Sequence, residues 1–260
     1  MSELVETCEL AARAGADELL AWRGRFQARE KAPADMVTDA DLASQAAIRA
    51  VIAERFPHHL FVGEEQTIAV EVGDDEDVWL VDPLDGTTNY IHDYPCYAVS
   101  VAVARGRELL AGVIYDPLTD ECFSAEQGQG AHLNGERVQT SQVATVGDAL
   151  VAVSLPPRVA PDAPDLADFI RVVQVSQAVR RSGSAALNLA YVACGRLDAF
   201  WATKIRPWDV AAGVLLVREA GGIVTGRDGG KFELWKPHFV SAAGTQLHAD
   251  LLRVLGPASS

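Results

Sequence analysis

The amino-acid sequence predicts an α/β protein in which helices alternate with mixed sheets in layers. Three observations carry this: an amphipathic N-terminal stretch, apolar runs of strand length bounded by turn residues, and helical stripes interleaved with those runs. Residues 3–28 place Leu4, Val5, Cys8, Ala11, Ala12, Leu19 and Leu20 near one helical face. Leu42, Ile48, Val51, Ile52 and Phe56 form a second helical stripe, with Asp39 or Asp41 suited to cap it. Leu60-Phe61-Val62-Gly63 and Val78-Trp79-Leu80-Val81 read as strands. Between them, residues 71–77 read as a solvated acidic loop. Asp82-Pro83 is expected to break the second strand, and Asp85-Gly86 to turn the chain with φ > 0 at Gly86. Thr87 and Thr88 are then placed to cap a short helix.

Tyr97 to Ala104 and Leu109 to Tyr115 flank the turn residues Arg105-Gly106-Arg107-Glu108 and predict an antiparallel hairpin. Strands at 150–154 and 177–180 surround a helix near 164–173. Ser182-Gly183-Ser184 precedes a helical run from Ala185 to Cys194, and Leu197 to Ala202 returns as a strand. Arg206-Pro207-Trp208-Asp209 opens a helix over Val210 to Ala220, which Gly221-Gly222 ends. A strand near 238–242 and a helix over about 245–255 close the chain. No linker rich in Pro, Gly or Ser and no internal repeat interrupts this order, so residues 1–260 are expected to form one domain.

With 260 residues, 49% hydrophobic and 22% charged, the chain can bury a substantial core. Glu3, Glu6, Glu9 and Arg13 interrupt the N-terminal apolar residues, so no secretory leader is read there, and no apolar run nears the ~20 residues of a membrane span. Cys8, Cys96, Cys122 and Cys194 lack metal-ligand or CxxC spacing and read as reduced thiols of a cytoplasmic protein. A net charge of −14 without a basic stripe argues against nucleic acid and anionic membrane as partners.

The run Asp82-Pro83-Leu84-Asp85-Gly86-Thr87-Thr88 carries the chemistry. Two carboxylates three residues apart at a strand's mouth can face one small volume, beside hydroxyls and outward backbone N–H groups. Such a place can hold hard cations and a phosphate together. Taken alone, however, Asp-x-x-Asp-Gly before Thr is more often a capped turn than a metal site. Other pieces match it. Glu64-Glu65 ends a strand-like run 18 residues before Asp82, Thr38-Asp39-Ala40-Asp41 opens a helix, and Asp209 lies in the first turn of another.

Lys31-Ala32-Pro33 with Val37-Thr38-Asp39-Ala40-Asp41, then Gly63-Glu64-Glu65, then Asp82 to Tyr90 (DPLDGTTNY), and finally Trp208-Asp209 with Glu219-Ala220-Gly221-Gly222, occur in that order. This set resembles the inositol monophosphatase family of the magnesium-dependent, lithium-sensitive sugar phosphatases, from about residue 5 to about residue 255. The resemblance implies a layered α-β-α-β-α sandwich, with a metal-bearing N-terminal lobe to about residue 145 and a substrate-side lobe from about 146. It also implies two to three Mg²⁺ ions, a homodimer and inhibition by lithium. Glu64, Asp82 and the carbonyl of Leu84 would hold one ion, Asp82, Asp85 and Asp209 a second, and Glu64 would contribute to a third. Four carboxylates with three Mg²⁺ make a site that attracts phosphate despite the acidic chain.

The implied reaction is hydrolysis of a small-molecule phosphate monoester by metal-activated water, which Thr87 and Asp41 would orient and deprotonate. The N–H groups of Gly86 and Thr87 would bind phosphate oxygens, with Thr88 beside them. Lys31 matches a family lysine near the catalytic loop, although a solvated loop lysine accounts for it equally. Gly183-Ser184-Ala185 is similar to the family's Gly-Thr-Ala segment, which contacts the sugar or inositol ring. One departure bears on the substrate: the family's ring-binding glutamate, seven residues before the metal-binding aspartate, is here Ala202. Inositol 1-phosphate is the expected substrate on overall resemblance. Histidinol phosphate suits the missing glutamate, and fructose 1,6-bisphosphate or a nucleotide would use Lys204, with Arg206 near it in sequence. A non-catalytic metal- and phosphate-binding regulator is the reading from another class, and it leaves the water-activating pair without a purpose. Trp201, Trp208 and Trp235, read as exposable aromatics, do not decide the oligomeric state.

Overall fold

A computed structural model describes residues 2–32, 35–66 and 72–257. Pro33 of the first family motif and Glu71 of the acidic loop lie outside these residues.

The first helix, α1, spans Glu3–Trp22 and buries Val5, Cys8, Ala11, Ala12, Ala16 and Leu19. It stops six residues short of the expected end, because Gly24 turns the chain with φ +72° between two arginines. Leu20, expected on the buried face, is 43% exposed. Strands β1 (Ala28–Ala32) and β2 (Asp35–Thr38) form a separate antiparallel hairpin. Helix α2 (Asp39–Arg55) is capped by Thr38 rather than by Asp39 or Asp41. Asp41 completes a capping box, its Oδ2 accepting the Thr38 N–H at 2.8 Å.

A seven-stranded sheet follows in the spatial order β3 to β9: β3 (Leu60–Gly63), β4 (Asp77–Asp85), β5 (Ala98–Arg105), β6 (Glu108–Asp116), β7 (Glu121–Glu126), β8 (Gly130–Leu133) and β9 (Glu136–Val138). β3 pairs with β4 in parallel and every other neighbour is antiparallel. The short helix α3 (Thr87–Ile91) leaves the end of β4. The second sheet has five strands in the order β11-β10-β12-β14-β13, comprising β10 (Leu150–Ser154), β11 (Ala178–Arg180), β12 (Ala199–Ala202), β13 (Ile223–Gly226) and β14 (Phe239–Ala242). Helices α4 (Pro164–Val173), α5 (Ala185–Ala193), α6 (Pro207–Glu219) and α7 (Thr245–Leu255) follow, and short 3-10 turns lie at Glu64–Gln66 and Val146–Asp148.

Alternation along the strands sorts the side chains into three cores. Trp79, Val81, Val99, Val101 and Val103 meet α1 and α2 on one face of the large sheet. Val78, Leu80, Ala102 and Ile114, on its other face, meet α5 and α6, which also cover Phe200, Ala202 and Phe239 of the small sheet. Val151, Val153, Trp201 and Val240 then face Val172 of α4 and Leu247 and Leu251 of α7. The succession helix, sheet, helix, sheet, helix is the expected α-β-α-β-α sandwich. Trp201, far from exposable, has no accessible surface. The four cysteines are free thiols, and no described helix is long and apolar enough to cross a membrane.

Candidate active site

Asp82-Pro83 does not break its strand. β4 continues to Asp85 through a bulge, with Asp82 opposite Ser100 and Asp85 opposite Ala98. Two residues, Pro83 and Leu84, thus face Val99 alone. In a regular strand, residues three apart point to opposite faces; one inserted residue brings them to the same face. Leu84 accordingly joins the core on the α1–α2 side with Val81. Asp82 and Asp85 are left together on the side of α5 and α6, where Ser184 and Ala186 of the α5 start reach Asp85. The Pro83 carbonyl freed by the bulge accepts a hydrogen bond from Ser44 Oγ at 2.9 Å.

The turn after the bulge needs glycine. Gly86 has φ +101°, and a Cβ there would stand 2.9 Å from the Cys96 carbonyl oxygen. Gly86, not a threonine, is the N-cap of α3, and Thr87 is its first residue. That frees the Thr87 hydroxyl, which lies 3.1 Å from both Asp41 Oδ1 and the Leu84 carbonyl. Asp41 is wholly buried and also accepts Thr38 Oγ1 at 2.6 Å. Burial pushes its carboxyl up to about 6, against the Thr38 hydrogen bonds, which favour the charge.

One cleft of about 250 Å³ is lined by Glu64, Asp82, Leu84, Asp85, Thr87 and Asp209, with Gly86, Thr88 and Gly183 at its wall. A second hollow of about 480 Å³ shares Asp85, Thr88, Gly183 and Asp209 with it and extends along Ala185, Arg181 and Lys204. The two hollows thereby gather the expected site residues, apart from Asp41, which stands behind Thr87, Ser184, which is buried against Asp85, and Lys31, which lines neither and reaches the cleft only through Glu64. Hollows elsewhere, beside α1 and beside the start of α7, gather no comparable acidic set.

Each carboxylate already has protein partners. Asp82 Oδ1 accepts the Leu84 N–H at 3.0 Å, and Asp209 Oδ2 accepts the Arg206 N–H at 2.9 Å where α6 begins. Asp85 takes the start of α5: Ser184 Oγ at 2.5 Å and the N–H groups of Ala185 and Ala186 at 3.2 and 2.7 Å. The Lys31 ammonium stands 2.9 Å from Glu64 Oε1 and 2.7 Å from Glu65 Oε1, so it is an ion-paired group at the cleft edge and not a solvated loop lysine. Burial opposes its charge, but the two glutamates outweigh burial and hold its pKa above the usual lysine range. Among the described residues, no three acidic, histidine or cysteine side chains are already arranged to hold a metal ion.

Burial, and then the charges of Glu64, Asp85 and Asp209, hold the Asp82 carboxyl well above the carboxylate range. Asp209 is raised likewise by burial and by Glu64 and Asp85. Burial brings Asp85 to about 6 even with its three donors. A cleft of hard oxygen donors that repel one another is chemically matched to divalent cations, and to Mg²⁺ above softer metals.

Two features escaped the sequence. Arg181 lines the larger hollow, whereas Arg206 does not. Lys204 reaches it from a left-handed backbone conformation, φ +53°. Ala202 has no accessible surface and does not line the hollow.

Known proteins resemble this chain in sequence and fold. The sequence pattern that defines the inositol monophosphatase family matches residues 1–258. An inositol-1-monophosphatase of Mesorhizobium japonicum is 42% identical over 207 residues, covering 79% of this chain and 77% of that protein. The crystal structure of the extragenic suppressor protein suhB from Bartonella henselae superposes with a TM-score of 0.91 at 36% identity, covering 99% of this chain and 100% of that one. An IMPase/NADP phosphatase complexed with Mg²⁺ and phosphate shares the fold at 23% identity, with a TM-score of 0.84 and coverage of 94% and 91%.

Proposed function

The chain belongs to the inositol monophosphatase family and is a phosphoric monoester hydrolase, and on that premise we propose that it hydrolyses inositol 1-phosphate to inositol and phosphate with Mg²⁺ as cofactor. The observation that carries this reading is the bulge in β4, which turns Asp82 and Asp85 into one cleft with Glu64 and Asp209. Glu64, Asp82, Asp85, Asp209 and the Leu84 carbonyl would hold two to three ions. When bound, these supply the positive charge that acidifies water and offsets the charge of the phosphate and the departing alcohol.

The chain's own residues do the rest. Thr87 Oγ1 orients the attacking water, and its contact with Asp41 passes the proton to a carboxylate that is ionised above about pH 6. Asp41 is kept in place by the two Thr38 hydrogen bonds, so its orientation does not depend on substrate. The N–H groups of Gly86 and Thr87 receive phosphate oxygens. Gly183 and Ala185, lining the larger hollow, border the ring of the alcohol. Lys31 holds Glu64 from the cleft edge and so tunes a cation ligand, which is a positioning role. The chain would act as a homodimer in the cytoplasm.

Phosphate release from inositol 1-phosphate, histidinol phosphate, fructose 1,6-bisphosphate and a nucleotide monophosphate, with and without Mg²⁺, tests the reading. Mg²⁺-dependent turnover of inositol 1-phosphate is the expected result. Turnover only of another ester would replace the substrate, and no release from any of them would favour the binding regulator.

A further inference from the structure

We propose that Ser44 and Gln45 of α2 are positioning residues that set the affinity of the cleft for divalent cations, each through one peptide unit. This rests on the Mg²⁺-dependent hydrolase reading above and adds to it the residues that hold its ligands in place. Neither side chain lines the cleft. With Asp41 they occupy positions i, i+3 and i+4 of the helix, and so share one face. All three are buried, Ser44 without any accessible surface. A polar face turned into a core costs stability unless its groups are bonded. A serine within a helix commonly bonds the carbonyl one turn earlier. Ser44 instead reaches 39 residues along the chain to Pro83, and Gln45 reaches 20 residues to Glu65. Their polarity serves the cleft, not the helix.

The Ser44 contact acts on Asp82. Its hydroxyl donates to the Pro83 carbonyl at 2.9 Å, and the N–H of the same peptide unit, on Leu84, donates to Asp82 Oδ1 at 3.0 Å. The unit is planar, with C=O and N–H on opposite sides, so anchoring one end aims the other. Pro83 and Leu84 are the residues of the bulge, where the ladder with β5 is interrupted. Ser44 therefore fixes a part of β4 that the ladder leaves unfixed. Gln45 acts on Glu64 in the same way. Its Oε1 accepts the Glu65 N–H at 3.0 Å, and that N–H belongs to the peptide unit joining Glu64 to Glu65. Both side chains need glycine opposite them. A Cβ on Gly63 would collide with Gln45 Oε1, and one on Gly15 of α1 would stand 2.7 Å from Ser44 Oγ. One face of α2 thus sets Glu64, which follows β3, against Asp82 in β4.

Calorimetric titration of the chelator-stripped protein with Mg²⁺ reads the effect without turnover. Ser44→Ala and Gln45→Met remove one contact each. Each should raise the Mg²⁺ dissociation constant about tenfold or more, as loss of a partner behind a metal ligand commonly does. At saturating Mg²⁺, KM for inositol 1-phosphate should move less than about twofold, because neither residue approaches the ester. Gln45→Glu keeps an acceptor in place and should bind Mg²⁺ no more weakly than wild type. Ile48→Val, one turn further along α2 and equally buried, loosens the packing against α1 without touching either peptide unit. Its dissociation constant should stay at the wild-type value. Wild-type affinity in both Ser44→Ala and Gln45→Met, or an equal weakening in Ile48→Val, overturns the positioning role while leaving the hydrolase intact. The two peptide units are separate, so either variant is decisive if the other does not fold. No Mg²⁺ uptake by the wild-type protein overturns both readings.

Discussion

Ser184 Oγ donates a 2.5 Å hydrogen bond to Asp85 Oδ2 across 99 residues of chain, and the same oxygen accepts the Leu187 N–H at 3.2 Å to cap α5. One hydroxyl thus starts a helix of the middle layer and orients a carboxylate at the end of β4. Ser184→Ala removes both bonds at a wholly buried position. Loss of the cap and of a donor to a buried carboxylate should cost about 1–3 kcal/mol in urea unfolding. It should also weaken the Mg²⁺ dependence of turnover, because Asp85 loses its strongest constraint. Ser184→Thr, which retains the hydroxyl, should preserve both.

Gly86→Ala probes the turn that delivers Thr87. The backbone conformation alone should cost about 1–2 kcal/mol. The added Cβ meets the backbone of Cys96, which cannot swing aside. The variant is expected to unfold at lower urea concentration, with kcat falling as Thr87 shifts from Asp41. Stability equal to wild type would mean the turn relaxes freely and does not set the Thr87 position.

How much of this was legible in the chain depended on the range of the interaction. The apolar periods placed β10, α4 and α7 within a residue or so of where they lie, because local burial alone decides them. β1, with the sequence AREKA and every residue exposed, offers no alternation to read. β8 and β9 are short, follow glycine-containing turns and exist by pairing, β8 with β7 and β9 with β8. The carboxylates were legible as a motif, but their shared face was not, since the bulge is a property of the pairing between β4 and β5. Thr38-x-x-Asp41 carries the spacing of a capping box and could have been read as one. Nothing local in the sequence marks the strained Lys204 backbone or joins Arg181 to it.

His248 gives a pH dependence away from the acidic cleft. It is 7% exposed, its Nε2 lies 2.9 Å from Thr225 Oγ1, and burial lowers its pKa below the usual histidine value. As pH falls through the ordinary value near 6.5, the unfolded chain takes up a proton that the folded chain does not. Stability contributed by this group is therefore present above that pH and lost below it. His248→Gln removes the titration, so the difference in unfolding free energy between pH 7.5 and 5.5 should be smaller for the variant than for wild type. Equal differences would show that the imidazole is freely protonated in the fold.

Asp209→Asn separates the structural from the cation-binding consequences of the acidic cleft. Burial and the neighbouring charge of Glu64 raise the proton affinity of Asp82, Asp85 and Asp209, so at pH 8 in chelator these charges oppose folding. Asn removes one charge, and its Oδ1 still accepts the Arg206 N–H that starts α6. Without divalent cation, the variant should therefore melt above wild type. Added Mg²⁺ should stabilise wild type by about 2.7 kcal/mol at a hundred times its dissociation constant. The variant should respond less at the same concentration and lose turnover by a factor on the order of a hundred or more. Equal melting in chelator together with an undiminished Mg²⁺ response would remove Asp209 from the ligand set, and would leave Glu64, Asp82 and Asp85 to hold the cations alone.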